Sequence, residues 1–159
     1  MYKKILVPLD GSKVSEGSLP HVKAIALGCS VPEVVLFMVV EPLLNPEAAV
    51  DAKAGRELIA QVEKENKAKD LSYINGISDR LKKEGVSAQA VLQDGKPADE
   101  ILAYAEKNGV DLIIMNTHGR SGVSRWFMGS VAERVVRHSP VPVLLVSAAG
   151  RTTSAKGGR

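Results

Sequence analysis

Val110-Asp-Leu-Ile-Ile-Met115-Asn-Thr-His-Gly119-Arg-Ser-Gly-Val-Ser-Arg-Trp-Phe-Met-Gly129-Ser130-Val-Ala-Glu133 is the stretch on which the fold turns. Its first six residues are an apolar run of the kind buried on both faces of a parallel sheet. Its end leads into Val131-Ala-Glu-Arg-Val-Val136, whose spacing predicts a helix. The loop between them carries glycines at 119, 122 and 129, where backbone N–H groups can approach an anion closely. Ser130 opens the helix, and the free N–H groups and dipole of a helix N-terminus favour phosphate. Ser121, Ser124 and Ser130 add hydroxyls, and Arg120 and Arg125 add positive charge. Strand, glycine-rich loop and helix together read as a phosphate cradle. Ser130-x-x-Glu133 is also a capping box, which needs no ligand, and glycines also serve turns. Neither the Walker pattern nor GxGxxG is present.

The same alternation runs through the rest of the chain. Residues 3–9 are a short aliphatic run ending in the turn Asp10-Gly11-Ser12. A helix follows to about Leu27, with Leu19, Val22, Ile25 and Ala26 at helical spacing. Pro20 marks either a kink or the first turn of that helix, and Gly28 stands at its C-terminal stop. Residues 33–40 are a second continuous apolar run. Pro42, Asn45 and Pro46 put 41–52 in a loop, and helical composition resumes over 53–84. There Leu58, Ile59 and Val62 make one apolar patch and Ile74, Ile77 and Leu81 another, which we read as one long helix. Residues 86–93 form the third strand, and Gly95-Lys96-Pro97 starts a helix that stops near Asn108-Gly109. The fifth strand is 141–146, from Val141 to Val146; Pro140 and Pro142 remove ladder donors there and assign it to a sheet edge. Strands alternating with helices imply an α/β fold with a parallel open sheet, helices on both faces and right-handed crossovers. Ligands of such sheets bind beyond the C-terminal ends of the strands, where the strand order reverses.

A chain of 159 residues with 45% apolar and 25% charged residues suits one globular domain. We take residues 1–147 as that domain and 148–159 as a basic, disordered tail, which is small, polar and glycine-bearing. The formal net charge of +3 resides in Arg151, Lys156 and Arg159 of the tail, so the body is balanced. That balance argues against a nucleic-acid footprint. Cys29 is the single cysteine, which excludes an internal disulfide and a cysteine-histidine zinc site. Pro8 and Asp10 interrupt the first apolar run, unlike a signal peptide, and no stretch approaches the ~20 apolar residues of a membrane span. The expectation is a cytoplasmic protein without membrane contact.

Taken together, these segments resemble the universal stress protein family, whose signature is glycine-x2-glycine-x9-glycine-serine/threonine. Gly119, nine intervening residues, Gly129 and Ser130 match the second and third glycines and the hydroxyl, while Asn116 stands where the first glycine falls. Lys4-Ile-Leu-Val-Pro-Leu-Asp10-Gly-Ser12, Gly95-Lys-Pro-Ala-Asp-Glu-Ile101 and Ser139-Pro-Val-Pro-Val-Leu-Leu-Val146 are similar too, so the likeness runs from Tyr2 to Ser147. It implies a five-stranded parallel sheet of order 3-2-1-4-5, in a Rossmann-like, adenine nucleotide hydrolase-like fold. The crevice would lie between strands one and four, beside Asp10 and Asn116.

The resemblance also implies ATP as ligand. Asp10 would contact the adenosine, Pro8 and Val39 would flank the adenine, Val39 largely through its backbone, and Met115 would form an apolar wall. Gly119, Gly129, Ser130 and Val131 would hold phosphates through backbone amides and the serine hydroxyl. The Asn116 side chain would enter the space that glycine leaves open for ribose, there either to donate a hydrogen bond or to obstruct. Mg or Mn would bridge the phosphates, since the sequence offers no dedicated acidic cage for a cation. The family pairs its fifth strand with that of a second subunit, which implies a homodimer through 141–146.

Catalysis finds little support. A general base must reach an attacking water, and only Asp10 and His118 lie near the cradle. His118 reads as shaping the loop, and His21 and His138 as surface helix residues. Trp126-Phe127-Met128 anchors the cradle or marks a protein contact. A phosphoacceptor receiver domain would need a lysine after the fifth strand, where Val146-Ser147 stands, and a redox enzyme would need Cys-x-x-Cys or a dinucleotide fingerprint. The expected function is nucleotide binding by a stress-response sensor or regulatory dimer, with slow ATP hydrolysis at most. The alternative is a dimeric interaction module that binds no nucleotide.

Overall fold

The computed structural model describes residues 2–43, 53–117 and 128–147. In chain order they form β1 (Lys4–Leu9), α1 (Leu19–Gly28), β2 (Glu33–Val40), α2 (Lys53–Lys83) and β3 (Ala88–Asp94). There follow α3 (Pro97–Lys107), β4 (Leu112–Asn116), α4 (Ser130–His138) and β5 (Val143–Val146). The five strands pair in the order β3-β2-β1-β4-β5, and every pairing is parallel. This is the sheet that the alternating pattern and the family resemblance both implied.

Alternation along the strands divides the core into two layers. Ile5, Val7 and Leu9 of β1, with Val34, Leu36 and Met38 of β2, face α1 and α2, where Val22, Ile74 and Leu81 meet them. Leu6, Val35, Phe37, Ile113 and Met115 face the other way, onto Ile101 of α3 and Val135 of α4. Strands buried on both faces explain why β1, β2 and β4 read as unbroken apolar runs.

Element ends differ from the sequence reading by a few residues, each for a local reason. β3 starts at Ala88 because the Val86 N–H is already spent on Leu81 O, 3.0 Å away, closing the end of α2. Gly85 makes that stop with φ of 88°. Gly28 stays helical, and the left-handed residue after α1 is Ser30, with φ of 51°. Pro20 falls in the first turn of α1, preceded by a 3-10 turn over Ser15–Ser18. β5 starts at Val143 because Pro142 has no N–H to give; its carbonyl accepts from Ile113 at 3.0 Å. The strand lies at the sheet edge, where the prolines placed it.

α2 is one helix of 31 residues, about 46 Å long at 1.5 Å per residue. Its second apolar patch, Ile74, Ile77 and Leu81, is buried. The first is not: Leu58 is 66% exposed and Val62 38%. Lys67 pairs with Asp94 at the C-terminal end of β3, 2.6 Å apart, and the Leu43 N–H donates to Glu63 at 3.1 Å. The helix therefore reaches the carboxyl edge of the sheet near residues 63–67, and the turns carrying Leu58 and Val62 find no sheet to pack on.

Candidate functional site

The carboxyl ends of β1, β2 and β4 open onto a cleft of about 280 Å³ on the α3 and α4 side of the sheet. Four sheet residues face that side in alternation: Pro8 beside Leu6, Phe37 and Val39 on β2, and Met115 on β4. They give an apolar surface suited to a flat ring. Pro97 and Ile101 of α3 stand opposite. Phe37 is held from behind by Tyr104, with ring centroids 4.7 Å apart.

Asp10 and Ser15 supply polar groups at the end of β1. Gly11 takes φ of 81°, turning the chain back so that Ser12 donates to Asp10 Oδ1 through both its N–H (2.9 Å) and its hydroxyl (2.6 Å). The Ser15 hydroxyl donates to Ser12 O at 2.8 Å and accepts the Asp10 N–H at 3.4 Å. One oxygen of Asp10 thus closes a turn.

The start of α4 closes the cleft with Gly129, Ser130, Val131 and Ala132. Ser130 does begin the helix, but it occupies the first helical position. Gly129, with extended backbone (φ −62°, ψ 149°), is the N-cap residue, and no side-chain hydrogen bond caps the helix. The Ser130–Glu133 capping box therefore does not form, because the serine lies one residue too far along. The Gly129 N–H is also taken, by Thr117 O at 2.7 Å, and is not one of the amides left for an anion. Ser130 and Val131 remain at the helix start, where N–H groups lack intrahelical partners. Gly119, His118, Arg120, Ser121, Gly122, Ser124, Arg125, Trp126 and Phe127 lie outside the described residues, as does the 148–159 tail.

Asn116 lines the cleft at the end of β4, but its amide turns toward the segment after β1. One residue beyond Met115, its side chain turns to the opposite face of the sheet and is 5% exposed. Its Nδ2 donates to the carbonyl oxygen of Val14, and Oδ1 is buried without a partner. Strand alternation is the cause: a side chain at 116 must point away from the face that Met115 lines.

Phe37, Glu41, Pro97 and Ile101 also line the cleft and were missed from sequence. Stepping by two from Val39 would have found Phe37 and Glu41; the α3 residues needed the tertiary packing. His21 and His138 are exposed on their helices. Among the described residues, no group of three or more His, Cys, Asp or Glu could hold a metal ion. No described helix is long and apolar enough to cross a membrane.

The universal stress protein family model matches residues 1–147. The chain belongs to the universal stress protein family. It is 37% identical over 146 residues to the universal stress protein MJ0531 of Methanocaldococcus jannaschii, covering 92% of this chain and 82% of that protein. Universal stress protein MJ0577 of the same organism is 32% identical over 154 residues, covering 92% and 95%. The solved structure of MJ0577 superposes with a TM-score of 0.77 at 33% identity, over 92% of this chain and 96% of that one. A universal stress protein family member from Arabidopsis thaliana, solved with AMP bound, shares the fold with a TM-score of 0.65 at 17% identity, over 97% of both chains. The cleft of this universal stress protein lies at the strand-order reversal of its sheet.

Proposed function

We propose that this universal stress protein binds an adenine nucleotide, ATP in the first instance, in the cleft between β1 and β4, and acts as a regulatory or sensory dimer in the stress response. One observation carries the reading: an apolar slot formed by Pro8, Val39 and Met115 runs directly into the uncapped start of α4. A flat base suits the slot, and phosphate suits the helix start. Asp10 lines the same cleft and would meet the ribose. Ser130 would offer its hydroxyl and, with Val131, a backbone amide; Gly129 keeps the approach free of a side chain, and Gly119 would complete the cradle. Mg or Mn would be held by the phosphates themselves. The AMP complex of the Arabidopsis relative supports the ligand class at the level of the fold. No residue here is assigned to hydrolysis. A cytoplasmic location fits a nucleotide ligand and a single free cysteine.

The dimer would form through β5, whose edge is open and whose Leu144 is 36% exposed. An apolar edge of this kind needs covering, and a second copy of the same strand covers it with two-fold symmetry.

Titration calorimetry with Mg-ATP tests the ligand. Saturable one-site binding that is weakened but still measurable in Asp10→Ala supports the reading. Absence of binding by ATP, ADP and AMP at millimolar concentration replaces it with the interaction module. Mass spectrometry of small molecules released from the purified protein would then name the natural occupant.

A further inference from the structure

Asn116 is held by contacts that reach the cleft from behind. Its Nδ2 donates to Val14 O, inside the segment that joins Asp10 to α1. Gly17 presses against the same amide: a Cβ built on Gly17 would stand 3.0 Å from Nδ2. The segment thus lies close on either side of the Asn116 side chain. Asp10, Ser12 and Ser15 are tied to one another by five hydrogen bonds. Val14 lies within that closed turn.

Keeping Asn116 in this place costs stability. Its Oδ1 is the buried side-chain polar atom left without a partner among the described residues, and a buried acceptor without a donor is destabilising. Unpaired buried polar groups of this kind concentrate where structure serves function.

From these contacts we propose that Asn116 is a positioning residue of the nucleotide site, setting the turn that presents Asp10 and Ser15 to the cleft. The proposal rests on the nucleotide reading above. It assigns the Asn116 side chain a role through the turn after β1, in addition to the place of Asn116 in the cleft wall. Asn116→Gly removes the donor to Val14 O, and Gly17→Ala displaces the same amide while leaving position 116 intact. Each releases the turn and acts on ligand through Asp10 and Ser15; Gly17→Ala does so with the cleft-lining Asn116 left in place.

The test is a double-mutant cycle on the full chain, read by calorimetry with Mg-ATP. Asn116→Gly is expected to weaken binding about five- to tenfold, and Gly17→Ala to weaken it in the same direction. In an Asp10→Ala background, assayed at correspondingly higher ATP, each change should alter affinity less than twofold. Loss of stability alone would not produce that dependence on Asp10, and thermal melts of the variants with and without nucleotide separate the two. Asn116→Gly binding as tightly as wild type, or tighter, overturns the proposal, and the latter shows that the side chain obstructs. Full additivity with Asp10→Ala in both variants also overturns it. If Asn116→Gly does not fold, the Gly17→Ala arm decides. Failure of wild type to bind any adenine nucleotide overturns the nucleotide reading, and this proposal with it.

Discussion

The Tyr73 hydroxyl of α2 donates to the Glu16 carboxylate at 3.1 Å, joining the turn after β1 to a helix 57 residues further along the chain. Lys13 lies 3.3 Å from the same carboxylate and Arg80 3.5 Å, and the Glu16 side chain is only 14% exposed. Burial works against ionisation of Glu16, but Lys13, Tyr73 and Arg80 together hold its carboxyl below the ordinary value. Burial and the neighbouring Glu16 charge push Tyr73 up from 10.0 to about 12.

The signs follow from linkage. Glu16 has a lowered folded value, so its contribution is present above its unfolded value of 4.5 and is lost as pH falls through the folded one. Tyr73 has a raised value, so its contribution is complete below pH 10.0 and is lost as pH rises through about 12. Glu16→Gln is expected to lower the urea midpoint clearly at about pH 7 and much less at about pH 3. It should also bring the most alkaline tyrosine in an ultraviolet titration back toward 10.0. A deficit of equal size at both pH values would show that the carboxylate is not the stabilising form.

The start of α4 separates binding from folding. Because Ser130 is exposed and makes no capping bond, Ser130→Ala is expected to change stability by less than about 0.5 kcal/mol. Affinity for Mg-ATP should fall several-fold if the hydroxyl meets phosphate. Gly129→Val places a branched side chain at the mouth of the cleft and should abolish binding, at a stability cost of about 1 kcal/mol from Val at the N-cap of α4. Parallel titrations and thermal melts check both variants; wild-type affinity in Gly129→Val would remove phosphate from this end of the site.

At the sheet edge, Leu144 is partly exposed on a four-residue strand. Wild type is expected to run as a dimer in light scattering at micromolar concentration, and Leu144→Lys as a monomer with unchanged circular dichroism. A monomeric wild type would leave the β5 edge uncovered and the dimer reading without support.

The two apolar patches of α2 should respond very differently to truncation. Ile74 is fully buried against the sheet, so Ile74→Ala is expected to cost about 2–5 kcal/mol. Leu58, at 66% exposure, should lose less than about 0.5 kcal/mol on the same change. Denaturant midpoints measure both. A large loss at Leu58 would mean that the projecting turns are covered in solution.

Composition and periodicity carried the reading a long way because the information they use is local. Five apolar runs separated by helical spacing admit little besides a parallel α/β sheet, and prolines at 140 and 142 can sit only where ladder donors are not needed. The strand order came from resemblance, since nothing local states which strands are neighbours. Pro8, Val39 and Met115 could be named from the family pattern, and alternation explains why they share a face. Ser130 likewise marked the start of α4, although the capping box failed by one residue because two adjacent positions can each begin a helix.

What lay beyond the sequence depended on contacts between distant segments. Leu58 and Ile74 look alike in the helical pattern, and only the length of the sheet beneath α2 makes one exposed and the other buried. Asn116 looked like an intruder in a glycine's place. Its position one step past Met115, together with a carbonyl 102 residues earlier, sends its amide to the opposite face. Local pattern can state which residues are apolar, flexible or polar. Where a polar group finds its partner is settled by packing, because a buried amide goes wherever the folded chain leaves a carbonyl within reach.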